Sequence, residues 1–162
     1  MASNKSGGES SLDLISCPSK GTVARASSVL QRNSKLYGPM NALKNEEHTC
    51  WNSDGMKSGE DAIQVYLKLD FGRTVQVKRI ELQFQAGFVG EMVDVSIITN
   101  ENGQDEEKVV LCEEELEDTH DVQSLEMDAT GNGIKLTFDE FSDFYGRVTI
   151  YRIRVWGREV PA

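Results

Sequence analysis

The side chains of this chain that could do acid–base, nucleophilic or metal chemistry are three Cys, two His and 27 carboxylates, and their spacing argues against each of those chemistries. Cys17, Cys50 and Cys112 are widely spaced with no Cys-x-x-Cys pair, and the two His, His48 and His120, and three Cys are scattered one at a time, whereas zinc sites draw on closely spaced ligand pairs. There is no Gly-x-Ser-x-Gly elbow and no phosphate-binding Gly-x-x-x-x-Gly-Lys. The carboxylates crowd into a charged run rather than into apolar surroundings that would raise a pKa: Glu101 to Asp118 holds nine of them against Lys108. That run reads as a solvated rim, with a docking surface for a basic partner as the alternative. No catalytic residue is therefore assigned, and an enzyme is not expected.

Residues suited to holding something lie elsewhere. Tyr37, Phe88, Phe144 and Tyr145 sit beside turn-forming Gly and Pro, and Arg147 supplies a planar cationic group close to the last two. Each could equally be a packing aromatic. The segment Tyr37 to Asp54 collects turn formers, oxygen-bearing side chains and Trp51 without periodicity, which predicts a structured loop anchored by the Trp.

The elements that must position these residues are strands. Val65, Leu67, Leu69 and Phe71 alternate with polar residues over Gln64 to Phe71, and the period of two recurs with Ile80, Leu82 and Phe84, with Val93, Val95 and Ile97, and with Ile134, Leu136 and Phe138. Gly72-Arg73 is expected to end the first of these. Shorter strands are expected at Thr22–Leu30, Lys108–Cys112 and Val122–Met127. In the closing strand, Arg147 to Trp156, the inward parity changes between Val148/Ile150 and Ile153/Val155, which predicts a bulge near Tyr151-Arg152. No 3.6-residue period persists. About eight short strands with turn chemistry between them indicate an all-β antiparallel sandwich or jelly roll.

With 162 residues the chain is one domain by length, able to bury roughly 68–70% of its unfolded surface without covalent staples. Residues 1–14, rich in Ser, Gly, Asn and Lys, are expected to be a disordered tail, leaving 15–162 as the sandwich domain. Met56 to Asp61 reads as a second polar connection. Seventeen basic and 27 acidic residues give a net charge of −10, which disfavours direct contact with nucleic acid phosphates or anionic membranes. No run approaches the roughly 20 apolar residues that span a bilayer. With no signal-like stretch after Met1 and no disulfide framework, a reducing intracellular location is expected.

Ala26-Ser27-Ser28-Val29-Leu30, Thr49-Cys50-Trp51-Asn52-Ser53 and the closing Ile150-Tyr151-Arg152-Ile153-Arg154-Val155-Trp156-Gly157 together resemble the discoidin domain, the coagulation-factor V/VIII C-type domain, among the galactose-binding-like jelly rolls. The resemblance covers about Val23 to Gly157. Ile80 to Phe88 and Asp143 to Tyr151 narrow it to small, stand-alone discoidin-like proteins that associate with nuclear receptors as repressors. This implies a non-enzymatic protein-interaction adaptor acting in transcription regulation, found in nucleus and cytoplasm, monomeric on its own, with a protein partner such as a nuclear receptor, and with Tyr37, Phe88, Phe144, Tyr145 and Arg147 in the binding loops at one end. The chain carries no Leu-x-x-Leu-Leu motif. The resemblance also admits a carbohydrate- or small-ligand-binding module on the same loops. Analogy of fold adds a subunit of a ciliary transport or ubiquitin-ligase assembly.

Many such domains hold calcium where the Trp loop meets the closing strand. Here Lys44 and Arg152 stand at positions the resemblance gives to carboxylates, leaving Asn45, Glu46, Glu47 and Thr49 as oxygen donors for an ion that needs six to eight. The expectation is therefore no metal and no cofactor, with Arg152 paired to Glu46 or Glu47 in calcium's place.

Overall fold

The computed structural model describes residues 11–55 and 64–161. The expected tail over residues 1–10 and the whole of the polar connection at Met56–Asp61 lie outside the described residues. Asp13 and Leu14, expected within the tail, form a short strand β1 that pairs with the end of the chain, Asp13 opposite Gly157 and Leu14 opposite Trp156. Seven further strands follow: β2 (Val23–Ala26), β3 (Trp51–Asn52), β4 (Val65–Phe84), β5 (Gly90–Glu101), β6 (Gln104–Glu115), β7 (Gln123–Phe141) and β8 (Thr149–Glu159). All pairings are antiparallel, in the order β1-β8-β4-β7-β5-β6, with β2 beside β4 and β3 beside β8.

The expected strand at Thr22–Leu30 stops at Ala26, because the serines that follow divert the ladder. Ser27 donates its N–H to the Tyr66 carbonyl at 3.0 Å and its hydroxyl accepts from the Tyr66 N–H at 3.0 Å. The Ser28 carbonyl accepts from the Trp51 indole and its hydroxyl from the Asp54 N–H, both at 2.9 Å. Leu30–Arg32 is a 3-10 turn, α1 is a single turn at Ser34–Tyr37, and Pro39–Leu43 is another 3-10 turn. Trp51 is fully buried, so the expected anchor of this loop is in place.

Two long strands make the sandwich. Gly72-Arg73 does not end a strand as expected; the chain bends there and continues. Gly72 has φ +72°, a conformation that costs Gly least, and its N–H is held by the Asp70 carboxylate at 2.9 Å. The register of β4 on β7 shifts between Asp70 and Val75. Val65–Asp70 therefore pairs with β2 and with Gly133–Phe138, whereas the remainder of β4 pairs with β8 and the first half of β7. In the same way, the two strands expected at Val122–Met127 and Ile134–Phe138 are one, Gln123–Phe141.

The two layers meet face to face through the residues of the predicted alternation. Leu67, Leu69, Phe71, Ile80, Leu82, Phe84, Val93, Val95, Ile134 and Leu136 are all buried. Phe84 of one layer meets Phe138 of the other edge-on at 6.0 Å, and Trp51 lies 6.5 Å from the same ring. The bulge stands where the parity change puts it: Gln83 pairs with Arg152 and Phe84 with Ile150, so Tyr151 is the extra residue that returns Ile153 and Val155 to the core. The acidic run lies mainly on β6, the outermost strand of that layer, with every residue from Gln104 to Val109 exposed. Cys17, Cys50 and Cys112 are free thiols.

Candidate functional site

Three connections meet at one end of the sandwich: Ser53–Gly55 after β3, residues 85–89 between β4 and β5, and residues 142–148 between β7 and β8. They are tied by hydrogen bonds from backbone N–H groups to two serine hydroxyls and one carbonyl. The Ser53 hydroxyl accepts from the Val148 N–H at 2.8 Å, the Val89 N–H donates to the Ser142 hydroxyl at 2.9 Å, and the Thr149 N–H donates to the Phe88 carbonyl at 3.0 Å. A loop end held in this way presents its side chains from a fixed frame rather than from a mobile tip.

Asp143 organises the last of these connections. One carboxylate oxygen accepts from the Tyr145 N–H at 3.2 Å, the Arg147 N–H at 3.0 Å and the Arg147 Nε at 3.0 Å; the other accepts from an Arg147 Nη at 3.1 Å. The Arg147 guanidinium thus meets the carboxylate with two parallel bonds, the planar geometry that makes this pair strong. These bonds, chiefly those from the Arg147 side chain, hold the Asp143 carboxyl below the usual carboxylate range against a smaller opposing effect of burial, and the same contact raises Arg147 above its ordinary value.

The guanidinium is also flanked by rings, 5.2 Å from the centre of Phe88 and 5.4 Å from that of Tyr145, both within cation–π range. Tyr145 in turn meets Phe144 edge-on at 5.1 Å. Phe144 is 92% and Tyr145 62% exposed, so the outer end of the stack is two large rings in water. Asp143 is held ionised and Arg147 protonated at neutral pH, so the pair is a clasp and not a proton donor or acceptor. What the arrangement offers is a rigid aromatic ledge with a cation behind it.

Of the residues expected in the binding loops, Phe88, Phe144, Tyr145 and Arg147 come together. Tyr37 is half-buried at the end of α1, where its N–H donates to the Asn33 carbonyl, and it makes no ring contact with the other four. Asp143 was not singled out by residue type, although an Asp four residues ahead of an Arg, with aromatics and Gly146 between, carries the signal of a side-chain-closed turn.

The expected pairing of Arg152 with Glu46 or Glu47 is not formed. Arg152 folds back onto the Tyr151 carbonyl at 2.9 Å, and the loop meets β8 two residues further on, where Arg154 donates to the Asn45 side chain at 2.9 Å. Glu46 and Glu47 are exposed, and the Thr49 hydroxyl donates to the Glu46 carbonyl at 3.3 Å. Among the described residues no three carboxylates, His or Cys gather as a metal site would require.

A groove of about 350 Å³ away from these loops is lined by Arg25, Lys68, Asp70, Arg73 and Asp105 among others. Much of its polar lining is already spent: Asp70 holds Gly72, Asp105 takes the Asn100 amide, and Arg73 caps the Phe71 and Ile15 carbonyls.

No family model matches the chain. A mouse protein named nuclear receptor 2C2-associated protein is 35% identical over 144 residues, spanning 88% of this chain and 94% of that protein. Its human counterpart is 34% identical over 145 residues, 89% and 96% of the two chains. Among solved structures, a chitosan-binding module from a Paenibacillus chitosanase/glucanase superposes with a TM-score of 0.71 at 13% identity, covering 90% of this chain and 99% of the module. A family 32 carbohydrate-binding module of Clostridium perfringens NanJ, solved with galactose, gives 0.67 at 19% identity over 90% and 98%. An F5/8 type C domain from Bacteroides fragilis gives 0.66 at 12% identity over 86% and 93%. These likenesses establish the fold as the discoidin-type β-sandwich.

Proposed function

The chain belongs to the family of nuclear receptor 2C2-associated proteins, and on that premise we propose that it is a non-enzymatic adaptor that binds a protein partner, a nuclear receptor of the 2C2 type, through the ledge formed by Phe144 and Tyr145. One observation carries this reading: two adjacent aromatics are held out in water by a clasped Asp143–Arg147 pair instead of being folded onto the core. Large exposed rings on a rigid frame lose little conformational entropy on binding and supply the anchors that dominate protein interfaces. The adaptor acts in nucleus and cytoplasm, and it is a monomer on its own because the carboxylates of β6 guard the open edge of the sheet against a second copy.

Titration of purified nuclear receptor 2C2 onto the full chain tests the reading. Replacing both Phe144 and Tyr145 with Ser leaves the fold intact and weakens binding by about 2 kcal/mol or more, the loss expected of an interface anchor. Unchanged affinity in that variant puts the contact face elsewhere. A glycan array addresses the carbohydrate alternative: saturable sugar binding that is lost in Arg147→Ala moves the ledge to that class. The geometry ranks it second, since Arg147 commits its Nε–H and one Nη N–H, the two parallel donors of its fork, to Asp143, and only the remaining three Nη N–H groups are left for sugar hydroxyls.

A further inference from the structure

We propose that the cavity of about 150 Å³ between β8 and the turn at Pro39–Leu43 is an oxyanion site that takes one phosphate group, free or as a monoester. Lys44, Arg152 and Arg154 all line it, together with Asn45 and Ser16. Arg152 and Arg154 flank the buried Ile153 and so share the outer face of β8 beyond the Tyr151 bulge, both half-buried. None of the residues of the aromatic ledge lines this cavity, so the site is independent of the proposed contact face.

The cations here are unmatched in charge. Arg152 donates one N–H to the Tyr151 carbonyl and Arg154 one to the Asn45 amide oxygen, both neutral acceptors, which leaves most of the five N–H groups of each guanidinium unassigned. None of the ion pairs formed among the described residues includes Lys44, Arg152 or Arg154. Of their cross-strand neighbours one is uncharged and the other is a carboxylate that forms no ion pair with them. Glu81, opposite Arg154, accepts from the Trp156 indole at 2.8 Å, and Gln83, opposite Arg152, is neutral and gives its amide to the His120 carbonyl. Three positive charges are thus held around one small cavity in a chain whose net charge is −10.

Size and geometry select the ligand class. Drug-sized ligands and sugars occupy pockets of about 300 Å³ and more, so this cavity admits a head group and not a whole ligand. Guanidinium forks match the paired oxygens of phosphate, and a lysine adds a point charge to the same group. The Asn45 amide and the buried Ser16 hydroxyl, which already accepts from the Val155 N–H at 2.9 Å, are the neutral polar groups of the lining. An anion seated here also relieves the mutual repulsion of the three cations, so its binding stabilises the fold by mass action.

The test uses the full chain and inorganic phosphate, with sodium chloride at matched ionic strength as the control, read by nuclear magnetic resonance of the Arg side-chain and Asn45 signals and by thermal melting. Phosphate is expected to saturate in the millimolar range or below, to shift those signals selectively and to raise the melting temperature above the chloride control. Arg152→Gln and Arg154→Gln, which keep length and polarity, each weaken it at least about tenfold, while Arg158→Gln further along β8 does not. If Arg152→Gln fails to fold, Arg154→Gln and Lys44→Gln give the same reading. O-phosphoserine as a second probe separates the sources: binding as tight as phosphate assigns the site to an ester-borne group, and much weaker binding assigns it to the free anion. An equal response to chloride, absence of saturation, or binding retained in both Arg variants overturns the proposal. Closure of the cavity by Glu46 or Glu47 in solution would appear as that absence.

Discussion

Asp143 has one of the most heavily used side chains in the molecule, and its effect on stability has a sign that can be worked out. Its side chain is 10% exposed and accepts four hydrogen bonds, three of them involving Arg147, whose own side chain is 34% exposed. Asp143→Ala therefore costs about 1–3 kcal/mol, the range for bonds to a charged group, measured by urea unfolding. A carboxyl held below its unfolded value of about 3.9 contributes stability that is fully present above that value and is lost as pH falls through the lower folded one. The gap between wild type and Asp143→Asn is accordingly constant near neutrality and closes below about pH 5; a gap that widened in acid would contradict the clasp. Cys112 makes the opposite case. It is exposed, yet its thiol is pushed up, first by the charge of Asp94 across the β5–β6 bulge and then by burial and by Glu113. Its alkylation by iodoacetamide at pH 8 should be slow for an exposed thiol and faster in Asp94→Asn, because the thiolate is the nucleophile.

At the scale of elements, the second half of β4 and β8 are paired neighbours that must approach closely. Gly157 marks the tightest point. A Cβ there would run into the Gln76 carbonyl oxygen on β4 and lie 3.2 Å from the Ile15 side chain. The obstacle on one side is backbone, which cannot rotate away, so Gly157→Ala must separate β8 from β4 and lift β1 with it. The expected loss is about 1–3 kcal/mol or more, as for overpacking in a filled core. Native-state hydrogen exchange provides the check, because the added opening should be concentrated in the amides of β1 and the end of β8. Exchange that rises uniformly through β5 and β6 would mean that the strain is spread over the whole sandwich.

For the whole molecule, the distribution of charge matters more than its sum. The chain is strongly acidic, but its carboxylates gather on the β6 edge while Lys44, Arg152 and Arg154 gather where the Trp51 loop meets β8. A divalent cation is repelled from that junction, and the melting temperature should be the same in millimolar calcium as in chelator. A clear rise with calcium would return Asn45, Glu46, Glu47 and Thr49 to the status of ligands, since an ion bound only by the folded state must stabilise it. Calcium and phosphate make opposed demands on the same junction, so the two titrations together test the sign of its field.

The alternation of Val65 to Phe71, Ile80 to Phe84, Val93 to Ile97 and Ile134 to Phe138 determined by itself that this protein is a β-sandwich and which face of each strand is buried, because side chains in a strand point to opposite sides and a one-residue error would expose the whole set. The parity change around Tyr151 determined the bulge for the same reason. What periodicity could not determine was where a strand bends rather than ends: Gly72 reads as a terminator, and only the pairing of the two halves of β4 with different neighbours keeps the strand going. The residue types nominated Phe88, Phe144, Tyr145 and Arg147, but contact between residues so far apart in the chain depends on which strand ends share one end of the sandwich. The same holds for charge. That Arg154 and not Arg152 meets the loop at Asn45, and that Glu81 is taken by Trp156, follow from the register of β8 on its neighbours, which is a property of the packed sheet and of no local stretch of the sequence.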